Sequence, residues 1–315
     1  MSNALQIRHA ILPARADVAV RPALTLFVRG PLGAHAAALD TLWARLRELP
    51  TGQRLQAYRL GTDTKWRTLG SAAVAPLSER FGLAAEAPGG WRLVVAEQPG
   101  SADPAAGARV EWASLPPVRG LARASHLRFV FDDTVSHAEI AALGDLALQH
   151  LPVWWGSGGH LFDFTGGSPH VAGKRIAALA KRHWAVQLQD LTALQWDALN
   201  GMPSVNWLTL LGPAFATQAG LDLDGLAVAA ERLAGVFVRR GPHGIALAAG
   251  PQPVTGDINT QDDLGPLAET ARLLAPLVLP ALRPLDGPLA RPDVLTAWLR
   301  RFDDPQGWLA ADIAV

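Results

Sequence analysis

Val236-Phe237-Val238-Arg239-Arg240-Gly241-Pro242-His243-Gly244-Ile245-Ala246-Leu247 reads as two short apolar strands joined by a Gly/Pro turn. Strands joined so tightly pair antiparallel, because a parallel pair needs a crossover of a dozen or more residues. Helical patterns flank this hairpin: Leu221–Leu233, stopped by Gly235, and Leu264–Leu279 after it. Hairpin and helices together set the expected class: α+β, with mixed or antiparallel sheets and packed helices, rather than a parallel doubly wound sheet.

The same alternation runs upstream. Leu24–Gly30 (LTLFVRG) reads as a strand, Ala34–Leu49 as a helix with Leu39, Leu42, Leu46 and Leu49 at helical spacing, and Trp91–Glu97 and Arg109–Ser114 as strands. A second helix is expected over Leu69–Leu83 and a loop over Gln98–Gly107. Leu127–Phe131 is a strand, and Ser136 with Glu139 makes a capping box for a helix carrying Ile140, Leu143, Ala147 and Leu151. Trp154-Trp155-Gly156-Ser157-Gly158-Gly159-His160 is expected to be a tight turn before a strand at Leu161–Phe164. Lys174–Trp184 is a helix with a basic face, Ser204–Leu211 leads into a short strand, and Val294–Phe302 is an amphipathic helix. Pro116–Ala124 reads as a linker, so the expected division is 1–118, an N-terminal α+β region, 125–285, an α+β core, and 286–315, a C-terminal helix and tail. The recurring strand-helix-strand order is compatible with two similar α+β halves.

Composition limits what the chain does. With 315 residues, 49% of them hydrophobic, it has material for a large core and is not a disordered chain. No apolar run reaches the roughly 18 residues of a membrane span. Met1–Pro13 lacks the pattern of a secretory signal, so a cytoplasmic protein is expected. Without cysteine there is no disulfide, thiolate nucleophile or zinc ribbon. Eleven tryptophans against one tyrosine point to indoles used as core fillers. Charge balances overall, but His183–Ala271 holds nine acids against three bases, a net of −6, which suggests an acidic face for a basic partner.

Catalytic patterns are missing. There is no G-x-S-x-G, H-x-x-x-H or H-E-x-x-H, and Ser157 in Gly-Ser-Gly has no helix behind it. The acids Asp257, Asp262 and Asp263 match no calcium loop. No catalytic residue, metal or cofactor is therefore expected. Two stretches place polar groups within apolar sequence, where they need partners. In Val205-Asn206-Trp207-Leu208-Thr209-Leu210-Leu211-Gly212, the Asn206 amide is expected to bond backbone across a loop under the shield of Trp207. In Thr255-Gly256-Asp257-Ile258-Asn259, Gly256 and Asn259 suit positive φ, and Asp257 suits an Asx-turn.

These stretches carry a resemblance. The run Val205–Gly212 resembles the signature of the TsiV family, type VI secretion immunity proteins for VRR-Nuc effectors. The order also matches: a strand and capped helix (Leu127–Leu151), a Gly-rich segment (Gly156–Gly159), the Asn-Trp-Leu-Thr motif, a helix, a hairpin running to Ala249-Gly250-Pro251-Gln252-Pro253, then Gly256-Asp257-Ile258-Asn259. The resemblance spans about Leu127–Leu282. It departs from the family pattern at Leu223-Asp224-Gly225, where the family shows Leu-Gly-Gly, and near Lys181-Arg182-His183-Trp184.

The resemblance implies a non-enzymatic antitoxin whose partner is a type VI effector protein, with no direct nucleic-acid or membrane partner. If that effector is a nuclease, its cleft is basic, and the acidic face would occlude it. Asp257, Asn259, Asp262 and Asp263 are the expected partner-binding residues, with the carboxylates as phosphate mimics, while Asn206, Trp207 and Gly256 shape the motif structurally. The alternative is a small-molecule binder or enzyme using Trp154–His160, with indoles stacking on a sugar or base.

Overall fold

A computed structural model describes residues 18–61, 65–70, 90–97, 107–164, 169–283 and 287–313. Most of the helix expected at Leu69–Leu83, and of the loop at Gln98–Gly107, lies outside these residues. The strands are β1 (Val18–Arg29), β2 (Ala57–Leu60), β3 (Arg67–Thr68), β4 (Trp91–Ala96), β5 (Arg109–Ser114), β6 (Ala124–Val130), β7 (Val153–Phe164), β8 (Leu208–Leu211), β9 (Val236–Gly241) and β10 (Gly244–Ala249). They form one sheet in the order β3-β2-β4-β5-β6-β1-β7-β8-β10-β9, and every neighbouring pair runs antiparallel. The helices of six residues or more are α1 (Ala36–Glu48), α2 (His137–His150), α3 (Pro169–Arg182), α4 (Leu191–Asp197), α5 (Pro213–Gln218), α6 (Leu223–Glu231), α7 (Gly265–Leu273), α8 (Pro292–Leu299) and α9 (Pro305–Ala310), and a single helical turn, Pro50–Gln53, follows α1. The class is α+β.

Alternation along the strands builds the layers. Leu24, Leu26 and Val28 of β1, Leu93 and Val95 of β4, Val110 and Trp112 of β5, and Leu127 and Phe129 of β6 form one core with Leu39, Leu42 and Leu46 of α1 and Ile140, Leu143 and Ala147 of α2. Phe27, Trp155, Leu211, Ile245 and Leu247 form a second core with α4 to α7. A third joins Val18, Val20 and Phe162 to α3, α8 and α9. Eight of the eleven tryptophans are buried in these cores, as fillers. Ser136 caps α2 with Glu139: the Glu139 N–H donates to Ser136 Oγ at 3.2 Å, and the Ser136 N–H donates to Glu139 Oε2 at 2.7 Å.

Several expectations change. Trp154–His160 is not a turn but the middle of β7, a 12-residue strand paired on both sides. Its glycines answer to packing: a Cβ on Gly156 would sit 2.9 Å from the Thr25 carbonyl oxygen and 2.8 Å from Leu26 Cδ2, and one on Gly158 would sit 3.2 Å from Leu208 Cδ2. The segment expected as a linker is a hairpin, with the Val118 N–H donating to the Leu121 carbonyl at 3.0 Å and the Leu121 N–H to the Val118 carbonyl at 2.9 Å. The single sheet also runs through the expected division, for β1 lies between β6 and β7. The helix expected to Leu279 ends at Leu273 and continues as a 3-10 turn, Ala275–Leu277.

Candidate functional site

The segments 204–209 and 254–263 lie on neighbouring parts of the fold, tied together through β7 and the turn 183–187, which makes an isolated bridge at each end, His183 to Asp257 and Gln187 to Leu161. Gln187 bridges Leu161 in parallel: the Phe162 N–H donates to the Gln187 carbonyl at 2.8 Å, and the Gln187 N–H to the His160 carbonyl at 2.9 Å. Its side-chain amide donates to the Val205 carbonyl. Asn206 closes the other side. Its Nδ2 donates to the His160 carbonyl at 3.4 Å, and its Oδ1 accepts the Trp207 N–H at 2.7 Å. The Asn206 N–H donates to Thr209 Oγ1 at 3.3 Å. Trp207 Nε1 donates to the Gly250 carbonyl at 3.0 Å. The motif thus pins the entry of β8 to β7 and to the exit of β10. All these groups are buried, so each lost bond would leave an unpaired polar atom, worth about 1–3 kcal/mol.

The 254–263 loop is fastened at its base. The Trp184 N–H donates to the Gly256 carbonyl and the Ala185 N–H to the Thr255 carbonyl, both at 3.1 Å, and the Ile258 N–H donates to the Arg182 carbonyl at 3.1 Å. Gly256 takes φ +66°, and a Cβ there would stand 2.7 Å from the Ala185 nitrogen. Asn259 keeps negative φ, and Gln261, at φ +54°, takes the left-handed position instead.

Asp257 is 1% exposed, so its carboxylate does not face outward. It receives Arg182 Nε at 2.9 Å on Oδ1 and Arg182 Nη2 at 2.7 Å on Oδ2, and its Oδ1 also accepts the Asn259 N–H at 2.9 Å. Arg182 holds the Asp257 carboxyl below the usual carboxylate range, against the opposing effect of burial. Asp262 likewise turns inward, accepting the Gly256 N–H at 2.9 Å and Thr260 Oγ1 at 2.9 Å. Asp263 is exposed and accepts the Gly265 N–H at 2.9 Å, in the approach to α7. What the loop offers to solvent is Ile258, 48% exposed, with Asn259, Thr260 and Gln261.

Behind the loop, Arg301 is fully buried; its Nε and Nη1 donate to neutral acceptors, and its buried Nη2 has no hydrogen-bond partner. Its Nε donates to the Trp184 carbonyl at 2.7 Å and its Nη1 to the Trp298 carbonyl at 2.9 Å, and the guanidinium lies 4.2 Å from the Trp298 ring centroid. Burial pushes it down to about 9. Since the Trp184 N–H also donates to the Gly256 carbonyl, Arg301 braces the loop from just beyond the end of α8. Sequence reasoning missed it; a lone arginine after an amphipathic helix gives no signal.

The acidic excess of 183–271 is largely consumed within the fold. Asp197 pairs with Arg283 at 3.1 Å, Asp224 and Glu231 with Arg240 at 3.3 and 2.9 Å, Glu269 with Arg272, and Asp257 with Arg182. Among the described residues no cluster of His, Asp and Glu is arranged to hold a metal ion, and no helix is long and apolar enough to cross a membrane. The alternative reading of Trp154–His160, with indoles stacking on a ligand, meets a buried strand: Trp155 is fully buried, with Nε1 donating to the Ala198 carbonyl at 2.7 Å.

The TsiV family model, described as type VI immunity for VRR-NUC, matches residues 135–302, more than half of the chain and both segments of this site. The chain belongs to the TsiV family. In structure this TsiV-family chain is similar to the Pseudomonas aeruginosa T6SS protein PA0821, with a TM-score of 0.77 and 17% identity over 100% of this chain and 97% of that one. That likeness carries the fold. No curated protein matches the TsiV-family chain in sequence.

Proposed function

We propose that this type VI immunity protein binds a nuclease effector and blocks its nucleic-acid groove, performing no reaction itself. The family match over residues 135–302 carries the reading. The fastened loop supports it: groups at 256–262 are spent on holding shape, so the loop meets a partner with little ordering entropy left to lose. Ile258, Asn259, Thr260 and the exposed Asp263 are the contacts we assign to the partner, with Asp257 and Asp262 shaping the loop from behind. Asp263 is then the carboxylate that meets a groove built for phosphates. A nuclease of this kind acts on DNA, so we assign the encounter to the cytoplasm.

The test uses the cognate type VI effector of this chain, sought first in the neighbouring reading frames. Stoichiometric immunity protein should abolish its DNA cleavage, and Ile258→Glu should weaken binding by calorimetry about tenfold or more, as removal of a central interface contact does. Inhibition that persists while DNA still binds the complex would refute groove blockage, and an unchanged affinity of Ile258→Glu would remove the loop from the interface.

A further inference from the structure

The hairpin between β5 and β6 is a second exposed device, far in sequence from the loop. Its turn, Arg119-Gly120, has φ of +51° and +79°. That is the two-residue turn whose twist suits a hairpin, with arginine where asparagine or glycine is usual. Leu121 is 62% exposed and Val118 39%, and Pro117 and Ala122 beside them are on the surface as well. The hairpin is stiff at its base, where Arg123 Nε donates to the Pro116 carbonyl at 3.0 Å.

Arginines surround it. Arg29, across from Ala124 in register, lies 5.3 Å over the Trp154 ring. Arg123 and Arg283 lie 5.4 and 5.7 Å from the Trp196 ring centroid. Arg123 meets a neutral acceptor, Gln195 Oε1, at 3.4 Å, and burial together with the nearby Arg92 pushes its guanidinium below the usual value. Among the described residues, Asp197 is the one carboxylate that pairs with any of Arg29, Arg119, Arg123 and Arg283. Two exposed aliphatic side chains thus project from a rim of largely uncompensated positive charge, with the strained residue at the tip itself an arginine.

We infer that this hairpin is a second docking point on the effector, its two aliphatic side chains seated in an apolar hollow on an acidic surface outside the effector's nucleic-acid groove. The inference rests on the reading of this chain as effector-binding. A groove that holds phosphates is basic and would repel this rim, so the complementary surface lies elsewhere on the effector. The apolar side chains of Val118 and Leu121 flanking the tip favour a protein surface over a nucleic acid. Two separated contacts of opposite character fix the register of the complex and reject partners that match only one.

The experiment measures binding of the purified effector, catalytically disabled, to wild-type chain, to the Arg119→Glu/Leu121→Asp variant and to Ile258→Glu, at low and high salt. Both hairpin positions are exposed, and thermal melts check that the variant is folded. The inference expects the double variant to lose about tenfold or more in affinity and much of its salt dependence, with Arg119→Lys close to wild type. Unchanged affinity in the double variant overturns it while leaving the effector reading standing. A wild-type chain that does not bind the effector at all overturns both. A labelled DNA duplex that binds wild type and is lost in the double variant, with effector affinity unchanged, assigns the hairpin to nucleic acid and overturns it as well.

Discussion

Asp257 and Arg182 stand 75 residues apart in the chain, yet they hold each other in a three-bond clamp. The Asp257 carboxyl is held below its unfolded value by Arg182, so its contribution to stability is complete above the ordinary carboxylate range of about 3.9 and is lost as pH falls through the folded value. Asp257→Asn should therefore destabilise the protein by about 1–2 kcal/mol at pH 7, discounted because Arg182 is partly in water, and the gap should narrow as the pH is lowered through the carboxylate range in denaturant titrations. His126 gives the same sign for a different reason, because the fold favours its neutral form. Burial, with Arg128 and Arg92 beside it and Glu111 opposing, pushes it down to about 4 from 6.5. Between these values the unfolded chain binds the proton and the folded chain does not, so stability rises with pH across that window, by up to about 1.4 kcal/mol per unit for one proton. His126→Leu should flatten that part of the stability–pH curve. Sequence alone marked Asp257 as interesting through its turn chemistry, but assigned it an outward role. Nothing in local spacing reveals which carboxylate an arginine from another element will claim.

At the scale of elements, capping and periodicity were legible. The Ser136–Glu139 box, the α2 face, β5 at Arg109–Ser114 and the β9–β10 hairpin follow from local chemistry. β7 did not. Glycine in a strand usually signals a bend or turn, but in β7 three glycines admit neighbouring side chains and backbone: Leu26 and Thr25 at Gly156, Leu208 and Ile140 at Gly158, Asn206 at Gly159. That reason lies in tertiary packing, invisible to a window of ten residues. Gly156→Val should destabilise by about 1–3 kcal/mol, read as a lower denaturation midpoint with an unchanged slope. A Gly156→Val variant as stable as wild type would mean that the β1–β7 approach is looser than described.

For the whole molecule, the decisive fact is the position of β1. It pairs with β6 through Ala23–Arg29 and with β7 through Val18–Val28, so a strand from the first thirty residues forms the middle of the sheet. The fold class was legible, because hairpins and helices announce themselves locally. The placement of β1 was not, because its partners lie far along the chain and Pro22 argues against an inner strand; in the fold, pairing with β6 begins only at Ala23. A fragment of residues 125–285, lacking this strand, should show no cooperative thermal unfolding by circular dichroism, whereas the full chain should show one. The same placement shapes synthesis. β1 emerges from the ribosome early, and both its neighbours are complete only when Phe164 has been made. Until Val130 has been made, a 12-residue strand with nine apolar residues has neither mate, and until Phe164 one of its edges stays open, a natural client for a holdase chaperone. Protection against an incoming toxin would then lag translation by a folding delay, which favours cells that keep a standing stock of the finished protein.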